Sequence, residues 1–257
     1  MLFEQIKRLR LNQKITNSLI TICELNVRGR LNFRELDQFL IRNKIDLAVL
    51  TETKKKNCYT QFLSKNYIIF HSGGKNAKRG VCFVCHNRLI PHIKSCKAIN
   101  ENVIALDLVD LQDFKNLSVY GIYMPDNGCS KTSVVEIYEI LSGKCKENFL
   151  LLGDFNSRVG KIKSNCLGKF NRDSKANRNG LILVDFCEKN NLVICNTFFS
   201  NNKCTWSIDK YKTFIDYLIV PSIWQNKITK FVAMKTKSDH RAIIFDFNIK
   251  TQDDCNS

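Results

Sequence analysis

About ten short apolar runs, each five to seven residues long, constrain the fold of this 257-residue chain more than any other feature. They are Leu19–Leu25, Ile45–Thr51, Tyr67–His71, Val81–Cys85, Val103–Val109, Leu117–Tyr123, Phe149–Gly153, Leu192–Asn196, Phe214–Val220 and Ala242–Phe247. Runs this short, rich in β-branched and aromatic residues, predict strands. Three segments predict helices instead. Asn32 with Glu35 forms a capping signal ahead of Phe33, Leu36, Phe39 and Leu40, which share one helical face. Ser133 and Glu136 repeat that signal at Val134–Leu141, and Leu181, Val184 and Cys187 form a stripe in Gly180–Asn190. Many strands with few helices predict two stacked sheets flanked by helices. They form one domain over residues 19–250, with a basic extension at 1–18 and a tail at 251–257.

Lys plus Arg total 40 against 24 Asp plus Glu, a formal net charge of +16, so the chain attracts polyanions such as nucleic acid or an acidic membrane surface. Twelve cysteines raise the question of a disulfide framework. Residues 1–18 contain no long apolar run of the kind a signal peptide needs, and most cysteines sit inside apolar segments, as Cys23, Cys187 and Cys195 do. The expectation is a reduced intracellular protein of the nucleus or cytoplasm, not secreted and without a membrane span.

The informative residues are polar ones at the ends of apolar strands. Leu150–Gly153 runs into Asp154-Phe155-Asn156, and in an extended chain Asp154 and Asn156 point one way while Phe155 points the other. That pair suits a phosphate or a metal-bound water; a plain turn is the competing reading. Glu52 follows Ile45–Thr51, and a hard cation can be held by one such carboxylate plus waters, although a solvated loop acid reads the same way. Asn26 follows Leu19–Leu25 and could equally start a turn. Asp216 interrupts the apolar run Phe214–Val220, and a buried carboxylate needs a partner. The best available one is His240, in Ser238-Asp239-His240, because an Asp that orients a His is a common device in acid–base chemistry.

Cys82-Phe83-Val84-Cys85-His86 spells the attachment signature of c-type haem. In a strand, residues three apart face opposite sides, so these cysteines predict core packing and neither haem nor zinc.

In order along the chain, Leu25-Asn26-Val27-Arg28-Gly29, Leu50-Thr51-Glu52-Thr53-Lys54, Ile122-Tyr123-Met124-Pro125, Gly153-Asp154-Phe155-Asn156, Ile215-Asp216-Tyr217 and Ser238-Asp239-His240 resemble the motifs of the endonuclease/exonuclease/phosphatase superfamily, the deoxyribonuclease-I-like proteins. The likeness is greatest to endonuclease domains of non-long-terminal-repeat retrotransposons and to craniofacial-development-protein-2-like proteins, and it spans roughly residues 19–250. The resemblance implies a four-layer α/β/β/α sandwich of two mainly antiparallel sheets, with the active site at one edge. It implies a monomeric, Mg²⁺- or Mn²⁺-dependent phosphodiesterase that nicks DNA. Glu52 would bind the ion, with Asn26 and Asp239 close to it. Asp154 and Asn156 would position or activate water, and Tyr123 would bond the scissile phosphate. Asp216 would orient His240, a general base or phosphate contact, and Arg28 would meet phosphate. Thr205-Trp206-Ser207 precedes the Asp216 strand as in relatives, its aromatic either core or DNA contact. No reverse transcriptase is expected after the last strand, which suggests a fragment of an element or a gene derived from one. Two rivals remain: a phosphatase of the same superfamily, and a catalytically silent nucleic-acid-binding module.

Overall fold

The computed structural model describes residues 18–74, 79–145, 148–171, 173–201 and 203–250. The basic extension, apart from Ser18, and the C-terminal tail therefore lie outside the described residues. The first sheet holds β1 (Leu19–Asn26), β2 (Leu47–Thr51), β3 (Tyr59–Phe62), β4 (Tyr67–His71), β5 (Cys82–His86), β14 (Ile228–Lys235) and β15 (Arg241–Asn248). Their order is β14-β15-β1-β2-β5-β4-β3. The second sheet holds β6 (Ile93–Ala98), β7 (Val103–Leu111), β8 (Phe114–Tyr123), β9 (Phe149–Asp154), β10 (Leu192–Ile194) and β13 (Asp216–Pro221), in the order β10-β13-β9-β8-β7-β6. A hairpin of β11 (Trp206–Ile208) and β12 (Tyr211–Thr213) stands apart. Helix α1 (Phe33–Arg42) follows β1, α2 (Lys131–Lys144) follows β8 and α3 (Arg178–Lys189) follows β9.

Alternation along the strands assigns the layers. In β2, Leu47 and Val49 enter the core between the sheets while Ala48 and Leu50 face outward. In β15, Ile243, Phe245 and Phe247 face inward and Ala242 and Ile244 outward. Leu36 and Leu40 of α1 cover the outer face of the first sheet. Val134, Ile137, Leu183 and Cys187, from α2 and α3, cover that of the second. The result is a four-layer α/β/β/α sandwich. The sheets come together closely at Gly121, where a Cβ would lie 3.0 Å from Ile104 and 3.1 Å from Val49.

Both sheets are mainly antiparallel, and each contains one parallel pair closed by a helix: β1–α1–β2 and β8–α2–β9. Parallel crossovers bring the carboxyl ends of both strands to one edge, where ligands of α/β folds collect. Here Asn26 lies beside Thr51, and Tyr123 beside Asp154. β13 and β15 run antiparallel to β9 and β1, so they begin at that same edge, with Asp216 opposite Asp154.

All ten anticipated runs fall on strands, several with shifted ends. Asp216 opens its strand instead of interrupting it, and the run at Leu192 turns into a 3₁₀ segment from Cys195. Asn32 caps α1, accepting from the Arg34 and Glu35 amides. The second cap is Ser130, not Ser133: helix α2 starts a turn earlier, and Ser130 accepts from the Ser133 amide. Leu181 of the α3 stripe is 56% exposed, and Leu183 and Phe186 take its place in the core. Cys82 and Cys85 pack into cores on opposite faces of the first sheet. β3, β6 and β14 were not evident because edge strands carry polar residues and bulges, as at Ile93/Ser95 and Ile228/Lys230.

Candidate active site

The strand ends converge on a buried cluster. The Asn26 side-chain amide donates to Glu52 Oε1 and to Asp154 Oδ2, both at 2.9 Å, bridging the two sheets. Asn26 Oδ1 accepts from the Arg28 amide at 3.0 Å, which turns the chain out of β1. Asp154 Oδ1 accepts from the Asn156 amide at 2.9 Å. Gly153, one residue earlier, has no room for a side chain, because a Cβ would lie 1.9 Å from the Ile122 carbonyl oxygen.

Asp216 grips His240 from below: Nδ1 lies 3.0 and 3.1 Å from its two carboxylate oxygens. The other ring nitrogen, Nε2, faces Asp154 Oδ2 at 4.0 Å. Asp154, Asp216 and His240 thus bring ligand atoms within 4.8 Å of one another, an acidic cluster able to hold a cation. Burial pushes the Asp154 carboxyl up to about 7, with Asp216 adding to the rise and His240 opposing it. Burial works against a charged His240, but the carboxylates of Asp216, Asp154 and Asp239 outweigh it and lift the ring to about 9.

Tyr123 stands beside Glu52 at the end of β8; burial first, then Glu52 and Asp154, raises its phenol well above the usual range. Glu52 itself is held in left-handed backbone (φ 51°), with Lys54 Nζ 3.2 Å from Oε2. Residues without glycine's freedom adopt this region only when their surroundings hold them there, and such strain gathers at functional sites. Arg28 (φ 48°), Lys54 (φ 51°) and Asn156 (φ 47°) share it. Asn156 therefore does not continue the extended strand. The Asn156 amide group donates to the Met124 carbonyl at 2.9 Å, while Phe155 is buried.

Asn26, Glu52, Tyr123, Asp154, Asp216 and His240 are thus brought together. Asp239 sits alongside in a second cluster, where Oδ2 accepts from Arg28 Nη1 and from Trp206 Nε1 at 2.9 Å. His240 and Arg28 hold its carboxyl below the usual range against the effect of burial.

Glu24 and Asn196 escaped the sequence reading, and Thr205 and Trp206 were noted there without the contacts they make. Glu24 in β1 is fully buried; its Oε1 accepts from Thr51 Oγ1 at 3.1 Å, and Oε2 has no hydrogen-bond partner among the described residues. Burial, then Asp216 and Asp154, raises its carboxyl well above the ordinary value. Thr205 Oγ1 accepts from the Ile215 and Asp216 amides, and Asn196 donates to the Asp216 carbonyl, so both fix the start of β13. Trp206 fixes Asp239. An acid inside the apolar run Leu19–Leu25 was the one available signal; the others needed the fold.

A family model described as endonuclease-reverse transcriptase matches residues 117–244, the segment carrying Tyr123, Asp154, Asp216 and His240. Over that segment the chain is similar to the endonuclease/exonuclease/phosphatase superfamily. Its sequence is 28% identical over 246 residues to craniofacial development protein 2 of Tragulus javanicus and of Bos taurus, covering 88% of this chain. It spans only 42% and 40% of those relatives' lengths. Among solved structures, the superfamily fold recurs in an AP endonuclease from Leishmania major, with TM-score 0.73, 13% identity, and 90% of this chain and 88% of that one covered. The endonuclease domain of TRAS1, a telomere-specific non-LTR retrotransposon, aligns with TM-score 0.63 and 14% identity over 91% of this chain and 99% of that one. The catalytic domain of Xenopus laevis APE2 gives TM-score 0.66 and 15% identity over 91% and 94%.

Proposed function

We propose that the chain is a divalent-cation-dependent DNA endonuclease that nicks one strand with an activated water, and that it is part of, or derived from, a non-LTR retrotransposon. The observation that carries the activity is the convergence on one edge of Glu52, Asn26, Asp154 and the Asp216–His240 pair. Hydrolysing a phosphodiester needs a positioned water, a group to take its proton and compensation for charge on the phosphate oxygens. The family description and the TRAS1 likeness support the retrotransposon link.

The donors suit a hard cation: carboxylates of Glu52 and Asp154 flank the Asn26 amide, as Mg²⁺ or Mn²⁺ prefers oxygen ligands. Glu52 would hold the ion, with Asn26 and Asp239 beside it, and the ion would supply Lewis-acid stabilisation of the phosphate. Asp216 fixes the orientation of the His240 ring so that Nε2 faces the reaction edge. With its pKa raised to about 9, His240 is cationic at neutral pH and suits a phosphate contact. Asp154, at about 7, is poised to accept the proton of the attacking water. Asn156 shapes the loop beside that water, Tyr123 offers a hydroxyl to the phosphate, and Arg28 meets a neighbouring phosphate.

Purified protein incubated with supercoiled plasmid tests this reading, with Mg²⁺ or EDTA, wild type beside Glu52→Ala and His240→Ala. The expected result is metal-dependent relaxation lost in both variants. A folded wild type that binds the plasmid and never nicks it would sink the activity and favour a silent binding module.

A further inference from the structure

Beside the reaction edge, a groove of about 1620 Å³ runs along the outer side of the first sheet. One wall is α1 with the loop that leads into it, and the other is the Lys235–Asp239 turn between β14 and β15. Arg28 and Lys54 line its catalytic end, where they pair with Asp239 and Glu52. Farther along, Arg30, Arg42 and Lys235 are exposed and have no carboxylate partner among the described residues. Phe33, 37% exposed, and the half-buried Phe39 add aromatic surface. A basic groove with interleaved aromatics is the arrangement by which proteins follow a single nucleic-acid strand: cations track the backbone while rings stack on bases.

The groove is also narrow. Lys237 Nζ reaches across from the turn to Glu35 Oε1 of α1 at 2.7 Å, joining the two walls. A duplex does not fit between walls that one ion pair spans. The pair is solvent-exposed, 86% at Lys237 and 49% at Glu35, so it opens at little cost to a strand that offers its own phosphates to Lys237.

We propose that this groove binds single-stranded DNA continuous with the strand held at the reaction edge. Phosphates lie on Arg30, Arg42 and Lys235, and a base stacks on Phe33. The proposal rests on the endonuclease reading and adds to it a preference for substrates with an unpaired segment next to the cut.

Fluorescence anisotropy of the full chain tests it, in EDTA, with a labelled single-stranded oligonucleotide and the blunt duplex of the same sequence. For Arg30→Glu combined with Arg42→Glu, single-strand affinity should fall at least about tenfold, and the slope of log affinity against log salt should become shallower by about 1.4, two phosphate contacts' worth. The duplex should lose clearly less. Phe33→Ala should weaken the single strand at least about fivefold with its salt slope unchanged. Circular dichroism melts confirm that each variant is folded. No loss in the double variant, or equal loss on both substrates, overturns the groove. Plasmid nicking by the same preparations separates the two proposals. Nicking with unaltered single-strand binding in the double variant sinks the groove and leaves the activity standing; groove-dependent binding without nicking does the reverse.

Discussion

The Asp154–Asp216–His240 cluster and the Arg28–Asp239 pair are sequence neighbours at the 239/240 junction, yet they obey different electrostatics. His240 is 4% exposed and Asp216 fully buried, whereas the Arg28 side chain is 49% exposed. Inside, little water screens the charges, so burial and the neighbouring carboxylates raise the Glu24 and Asp154 carboxyls, and the carboxylates lift His240 against its burial. On the rim, water and salt screen the same kinds of group, and an ion pair contributes little to stability. In the proposed endonuclease, chemistry is concentrated where burial makes charge expensive, and capture of the DNA backbone where charge is cheap to rearrange.

That contrast is easiest to break at His240. His240→Ala should cut nicking by roughly 10²–10⁴, the range for a lost acid–base or electrostatic group, measured as kcat/KM on plasmid. A loss under tenfold would mean the buried cluster is structural.

The pH dependence of stability comes next. His240 is lifted from 6.5 to about 9, so its contribution is complete below pH 6.5 and is lost as pH rises through 9. Asp154, lifted from 3.8 to about 7, keeps its proton in the folded state where the unfolded chain has released it, so stability also declines from about pH 4 to 7. In EDTA, the Tm should fall steadily between pH 6.5 and 9, and Asp216→Asn should flatten that fall. A flat wild-type profile would contradict a charged, carboxylate-held His240.

Glu24 sharpens the comparison from beneath. Glu24→Gln keeps an acceptor for Thr51 and removes an acid coupled to Asp154 and Asp216. Because burial holds Glu24 neutral, the acidic limb of the pH–rate profile should stay in place, with the Tm little changed. A limb moved to lower pH would show a charged Glu24 acting on Asp154.

The smallest effect belongs to the rim. Arg28→Ala should leave the stability within about 1 kcal/mol of wild type and make the salt slope of DNA binding shallower by about 1. A Tm loss comparable with that of Asp216→Ala would erase the distinction between rim and interior.

The strand ends were legible because a polar residue closing or breaking an apolar run stands out: Asn26, Glu52 and Asp154 follow such runs, and Asp216 lies inside one. So were the layers, since many short strands with few helices can bury their apolar residues only as two stacked sheets flanked by helices. The left-handed backbone of Asn156 was not legible, because that conformation at a loop residue is imposed by its surroundings. Nor were Thr205, Asn196 and Trp206, whose hydrogen bonds to the Asp216 and Asp239 segments cross 20 to 33 residues or join backbone 10 or 11 apart. The sequence by itself determined which residue types lie at strand ends, and hence the chemistry available. Only the tertiary structure decided that Asn26 and Asp154, 128 residues apart, share a hydrogen bond, that Glu24 lies beneath them and that Asp239 turns to Arg28. Local pattern fixes what each strand presents; which strands meet, and how deeply their charges are buried, is settled only when the two sheets pack.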